Sequence, residues 1–204
     1  MPIAAVLWDA DGVLQRTRPG WRESLIAIGG ADFPAAVIEV EEQGPMIGRG
    51  SFRTALETLL RDRGIDVDPE RILTLWDQID SVPAALELVR RVRAQGVPCH
   101  LATNQHDRRA ATMREVMRYG DHLDRQFYSC ELGVAKPDPA YFLAILRKLA
   151  LRPNDVLFID DLSANVDAAR SVGLLAERHD PADGADGLER ALTAHGLLTP
   201  VSTQ

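Results

Sequence analysis

Ile3-Ala4-Ala5-Val6-Leu7-Trp8-Asp9-Ala10-Asp11-Gly12-Val13-Leu14 is the stretch that decides the fold. Its first six residues are apolar with two β-branched members, Ile3 and Val6, the pattern of a short strand buried on both faces of a parallel sheet. Two carboxylates, Asp9 and Asp11, then leave the C-terminal end of that strand. In open α/β sheets ligands collect at this edge. A second apolar run, Val156-Leu157-Phe158-Ile159, ends the same way, on Asp160-Asp161. The repetition points to a metal-assisted active site.

Working outward, strand and helix patterns alternate. Residues 83–95 predict a helix, with Pro83 in its first turn and Gly96 behind it. A strand follows at 97–102, with Pro98 suited to its start or to an edge. Helices are expected at 107–119, 139–149, 163–172 and 186–195, and strands at 127–129, 156–159 and 174–176. The tail after His195 is expected to fray. Strands alternating with helices indicate a parallel sheet covered on both faces. The interval from Leu14 to Val82 breaks this rhythm: it has helix-like runs near 21–28, 35–42, 51–63 and 69–79 and no clear strand. The expected architecture is therefore α/β, with a Rossmann-like core from residues 1–14 and 83–204. A small all-α cap inserted over 15–82 covers the acidic pair.

The chain of 204 residues is 46% apolar and 26% charged, an ordinary composition for one domain with an insert. A net charge of -7 gives no support to a nucleic-acid or anionic-membrane partner. It leaves room for a small phosphorylated metabolite in a locally basic pocket. No run approaches the roughly 18 apolar residues of a membrane span, and no basic-then-apolar leader is visible, so a cytoplasmic location is expected. Cys99 and Cys130 form neither a metal-ligand spacing nor a disulfide framework. No sustained heptads occur, so the chain is read as a monomer or homodimer.

Asp9 has the position of a nucleophile able to form an acyl-phosphate, and Asp11 that of a general acid and base. Asp160 and Asp161 are like charges in sequence contact, which a divalent cation would relieve. Oxygen donors favour Mg²⁺, and the absence of a His/Cys cluster argues against zinc. Thr103-Asn104 follows another strand and offers a hydroxyl, an amide and backbone N–H groups for a phosphoryl oxygen. Lys136 supplies a cation for phosphate and for Asp9. Together these are the parts that phosphoryl transfer requires.

With these residues assembled, the chain resembles the haloacid dehalogenase-like hydrolase superfamily, in the branch with a helical cap after the first strand. The likeness covers roughly residues 3–195. It rests on four motifs: Asp9-Ala10-Asp11-Gly12-Val13-Leu14, Thr103-Asn104, Lys136-Pro137 and Asp160-Asp161. The resemblance implies that Asp9 is nucleophile and Mg²⁺ ligand. It implies that Asp11 is acid and base, with its carbonyl on the metal, and that Thr103 and Lys136 hold the transferring phosphoryl group. Asp161 would be the regular metal carboxylate and Asp160 a second ligand or a group behind it. Asn165 stands where many relatives carry an acid and would support the metal shell by hydrogen bonds. Relatives that dehalogenate generally lack the second Asp, so Asp11 favours hydrolysis of a small phosphomonoester such as a sugar phosphate or phosphoglycolate. A phosphomutase, a haloacid dehalogenase and a non-catalytic binding domain are the alternatives. In the cap, Arg49 is a candidate for a second anionic group and Trp21 for stacking on a sugar. His106, close after Thr103, is a third candidate substrate contact.

Overall fold

Five parallel strands carry the architecture in this computed structural model, which describes residues 2–199. They are β1 (Ala5–Trp8), β4 (Cys99–Thr103), β5 (Arg125–Tyr128), β6 (Val156–Asp160) and β7 (Leu175–Arg178), in the spatial order β5-β4-β1-β6-β7. β1 lies at the centre, pairing Val6 with Cys99 on one side and with Leu157 on the other. All four of its residues are buried because both faces are covered. Successive side chains point to opposite faces. Val6 and Trp8 accordingly join one apolar cluster with Leu88, Val92 and Leu192, and Leu7 joins another with Phe142, Ile145 and Val166.

The first cluster is closed by α5 (Pro83–Ala94) and α11 (Gly184–Ala194), the second by α9 (Pro139–Leu149) and α10 (Ser163–Ser171). Helix starts follow their sequence signals. In α9 the Asp138 carboxylate accepts from the Ala140 N–H, with Pro139 at the first helical position. Gly96, at φ 81°, follows α5 and turns the chain toward β4, and Pro98 sits just before that strand, where it costs no ladder bond.

Between β1 and α5 lie α1 (Trp21–Gly29), α2 (Phe33–Gln43), α3 (Phe52–Asp62) and α4 (Glu70–Trp76). They pack on a cluster of their own, built on Leu25, Phe33, Val37, Phe52, Leu56, Ile72 and Trp76. Two short strands that the sequence reading did not anticipate stand where this helical layer is entered and left. They are β2 (Gln15–Thr17) and β3 (Ile79–Ser81), paired antiparallel. Three residues each, largely polar, are too few to show an alternating pattern. The helix expected over 69–79 stops at Trp76 because Ile79 enters β3.

Two further corrections concern helix ends. The helix expected to reach residue 119 is α6 (Asp107–Glu115), followed by a separate turn, α7 (Tyr119–His122). Arg118 between them takes a left-handed φ of 54°, which no helix interior accommodates. The tail after α11 does not begin to fray at His195, since Leu197 and Leu198 are buried in the cluster beneath β1. The rest of the tail, residues 200–204, lies outside the described residues. Among the described residues no helix is long and apolar enough to cross a membrane, and Cys99 and Cys130 are free thiols.

The helical layer is tied to the sheet and its helices by polar contacts. From α6, Arg108 Nη2 donates to Asp77 at 2.5 Å and to Glu70 at 3.0 Å, and Thr112 Oγ1 donates to Asp77 at 2.6 Å. Asp107 at the start of α6 accepts from the Phe52 N–H at 2.9 Å. On the far side, Ser129 in the short helix α8 (Ser129–Leu132) donates to the Met46 carbonyl at 2.6 Å.

Candidate active site

Three neighbouring strands deliver three side chains to one edge. Asp9 directly follows β1, Thr103 ends β4 and Asp160 ends β6. The Asp9 N–H donates to the Ile159 carbonyl at 2.9 Å, which extends the β1–β6 ladder by one step and fixes where the Asp9 side chain emerges. Lys136, from the loop before α9, reaches beneath them. Its Nζ donates to Asp9 Oδ1 at 2.7 Å, to Asp160 Oδ2 at 2.6 Å and to the Ala102 carbonyl at 3.0 Å. All three donor protons of the ammonium are thereby used.

The group is almost sealed from water: the Lys136 side chain is 1% exposed, that of Asp160 0% and that of Asp9 8%. The Asp9 carboxyl is raised to about 7, chiefly by burial, with Lys136 pulling it down and Asp160 pushing it up. Burial opposes the charge on Lys136, but Asp9 and Asp160 outweigh it and hold the ammonium above its ordinary range. One buried cation thus faces two carboxylates, with a third beside them. Asp161 is half-buried, and burial together with Asp160 raises its pKa.

Asp9, Asp160 and Asp161 each offer an oxygen, all within 4.8 Å of one another. Three hard donors around a single ammonium are the chemistry of a divalent-cation site. The backbone is cut to fit: a Cβ at Gly12 would lie 2.5 Å from Asp161 Oδ2, and Gly12 has φ +78°. The Asp160 carboxylate is already engaged. It accepts from Lys136, from the Leu162 N–H at 2.8 Å and from Asn165 Nδ2 at 3.0 Å on both oxygens. These contacts fill roughly the four acceptor directions of a carboxylate. Asp160 therefore orients Lys136 and adds charge, and Asn165, itself buried, holds Asp160.

Asp11 opens toward the helical layer. Its Oδ1 accepts from Arg109 Nη2 at 2.6 Å and its Oδ2 from Gln105 Nε2 at 2.8 Å. Gln105 also donates to Thr103 Oγ1 at 3.1 Å, which couples the two motifs. Gln15 Nε2 lies 3.2 Å from Asp11 Oδ1. Sequence reasoning missed Gln105, Arg109 and Gln15. A signal existed for one: Arg108-Arg109 sits in the first turn of α6, where a cation opposes the helix dipole and needs a carboxylate partner to be stable.

A cleft of about 330 Å³ joins these groups, lined by Asp9, Asp11, Thr103, Asn104, Lys136, Asp161 and Asn165, with Arg16 and Thr17 on the helical side. The Asn104 side chain does not turn into it freely. Its Nδ2 donates to the Lys136 carbonyl at 2.8 Å and its Oδ1 accepts from the Lys136 N–H at 2.9 Å, so it positions the lysine loop.

The three remaining candidates, Arg49, His106 and Trp21, do not line this cleft. Arg49 lines a separate surface groove with Ser51, Thr54 and Asp62, away from the acidic edge. His106 is fully buried and caps α6, its Nδ1 accepting from the Arg109 N–H at 3.4 Å while its ring lies 4.2 Å from Phe52. Burial, with Arg109 adding to it, pushes its pKa down to about 3, so it is a neutral packing group. Trp21 meets Trp76 edge-on at 6.0 Å and lines a second cavity that adjoins the cleft at Thr17.

A model of the haloacid dehalogenase-like hydrolase family matches residues 3–173. The phosphoglycolate phosphatase of Pectobacterium atrosepticum is 26% identical over 184 residues, covering 84% of this chain and 77% of that protein. The bifunctional epoxide hydrolase 2 of Rattus norvegicus is 28% identical over 94 residues, 44% of this chain, and the shared stretch spans only 17% of that protein. In fold, the chain is similar to a HAD family enzyme of Bacteroides thetaiotaomicron crystallised with magnesium and inorganic phosphate. That likeness has a TM-score of 0.74 at 20% identity over 86% of this chain and 93% of that one.

Proposed function

This chain belongs to the haloacid dehalogenase-like hydrolase family, and from that premise we propose that it hydrolyses small phosphomonoesters with Mg²⁺ through an aspartyl-phosphate on Asp9. The observation that carries this reading is the Lys136 ammonium bound at once to Asp9 and Asp160, with the Asp161 oxygen close by. A cation beside the attacking carboxylate is what an incoming dianionic phosphoryl group requires.

Mg²⁺ would be held by Asp9, Asp161 and the Asp11 carbonyl, with Asp160 adding charge. When bound, it neutralises carboxylate and phosphate charge that one ammonium cannot. Asp9 attacks phosphorus, the bond to the leaving oxygen breaks, and Asp11 gives that oxygen its proton. Lys136 and the Thr103 hydroxyl hold phosphoryl oxygens meanwhile. Asp11, now a carboxylate, takes a proton from water, and the resulting hydroxide attacks phosphorus. The bond to Asp9 breaks and orthophosphate leaves. A halide leaving group would need no proton donor, so a second carboxylate beside the nucleophile supports ester hydrolysis over dehalogenation. In this reading residues 15–82 act as the cap and residues 1–14 and 83–204 as the core. The magnesium and phosphate bound by the Bacteroides enzyme and the phosphatase name of the Pectobacterium relative support the same chemistry.

The test is phosphate release from a panel of phosphomonoesters. Turnover is expected with Mg²⁺ and not with excess chelator. Asp9→Asn is expected to lower it on the order of 10³-fold or more while circular dichroism stays unchanged. Undiminished turnover in that variant overturns the nucleophile assignment.

A further inference from the structure

Beside the catalytic cleft lies a second cavity of about 190 Å³ that the mechanism does not use, walled by Trp21, Ile38, Glu41, Leu75, Trp76 and Arg109. The two spaces meet at Thr17, which lines both, and at Arg109, whose Nη2 bridges Asp11 and Thr17 Oγ1 (3.1 Å). An ester whose phosphorus sits at Asp9 would direct its alcohol toward this side, where Asp11 stands.

The polar groups of this cavity are left incomplete. Arg109 is nine-tenths buried, yet its Nε has no hydrogen-bond partner. Glu41 accepts from Trp76 Nε1 at 3.1 Å through Oε2, while Oε1 meets only His106 Nε2 at 3.5 Å, beyond a good bond. Buried orphan donors are uncommon in folded chains and mark a place where a partner is missing. The Arg109 guanidinium and the Glu41 carboxyl line the same cavity and suit one hydroxyl group, which accepts from the first and donates to the second. Two indole rings supply apolar faces for the C–H surface of a small ring or chain. The charge balance of this cavity disfavours an anion. Its one lining cation, Arg109, is already paired with Asp11, so a carboxylate entering here would find no free cation.

We propose that this cavity receives the leaving alcohol of the substrate, and that Glu41 and Arg109 select a neutral, hydroxylated alcohol (a sugar or polyol) over a carboxylated one such as glycolate. The inference rests on the phosphatase reading and narrows it to a substrate class.

The experiment compares kcat/KM of the Mg²⁺-loaded full chain for sugar and polyol monophosphates, 2-phosphoglycolate, and p-nitrophenyl phosphate as a generic ester. The hydroxylated esters are expected to be preferred over phosphoglycolate at least tenfold, and Glu41→Gln to narrow that ratio several-fold. Trp21→Ala is expected to raise KM for the hydroxylated esters while kcat stays within about twofold. Binding is read separately by tryptophan fluorescence in Asp9→Asn: a polyol monophosphate should perturb the emission, phosphoglycolate should not, and adding Trp21→Ala should abolish the response. Turnover with phosphoglycolate preferred, or a ratio that Glu41→Gln leaves unchanged, overturns this inference and leaves the phosphatase reading standing. No phosphate release from any ester, the generic one included, overturns both.

Discussion

At the scale of single residues, the site is a problem of charge and reach. Asp9, Asp160 and Asp161 are stable together because Lys136 sits among them and because Asn165 and the Leu162 N–H satisfy Asp160. The motif residues were legible in the sequence, since Asp9, Thr103 and Asp160 stand at strand ends and Lys136 carries a side chain whose chemistry is specific. Gly12 was legible only as part of a motif; its steric reason required coordinates. Gly12→Ala places a Cβ 2.5 Å from Asp161 Oδ2 at φ +78°, so it is expected to cost about 1–3 kcal/mol and to raise the Mg²⁺ concentration needed for half-maximal turnover. Gly20→Ala has a similar left-handed φ of +96° but open space around it. It is expected to cost stability without moving the metal requirement. Metal titrations of the two variants side by side separate the effects, and equal metal requirements would sink the steric argument.

At the scale of elements, α6 is the joint between the parallel sheet and the helical layer. Arg108, Thr112 and Asp107 on its outward side bind Asp77 and the start of α3, while Arg109 beside them binds Asp11. A helix that touches Asp11 on one side and the helical layer on the other links the position of that layer to the acidic edge. Sequence periodicity located α6 but not this double role, because its partners lie about 30 to 100 residues away. Asp77→Ala removes the acceptor shared by Arg108 and Thr112. It is expected to destabilise by about 1–3 kcal/mol, to increase protease sensitivity between residues 15 and 82, and to raise KM. The Arg18–Asp80 pair joins the two short strands with side chains 55% and 49% exposed, so solvent screens it and it is expected to contribute little to stability. Urea titrations of Asp77→Ala and Arg18→Ala check the ranking, and a larger loss from Arg18→Ala would refute it.

At the scale of the whole molecule, buried acidity links stability to pH. Glu41 lies where the helical layer meets α6, facing Trp76, His106 and the charges of Arg109, Asp11 and Glu42. Burial lifts its carboxyl from 4.5 to about 7, against the pull of Trp76 and Arg109. A folded-state pKa above the unfolded one means that the folded chain holds the proton more tightly. The stability contributed is full below about pH 4.5 and is lost as pH rises through about 7, a change of roughly 3 kcal/mol. Glu41→Gln is expected to flatten that decline, as measured by urea unfolding at about pH 5 and about pH 8; parallel slopes for both proteins would refute the assignment. The sequence by itself determined the parallel sheet, the inserted helices and the acidic residues that gather at the sheet edge. Strand alternation and the carboxylates that follow the apolar runs ending at Trp8 and Ile159 are local properties, written in consecutive residues. Only the tertiary structure decided that Arg109 and Gln105 hold Asp11, that Asn104 serves the Lys136 loop, that His106 is core, and that Glu41 and two indoles wall a cavity beside the cleft. Those relations depend on packing between segments far apart in the chain, and the hydrogen-bond partner of a buried polar group is fixed only when such segments meet.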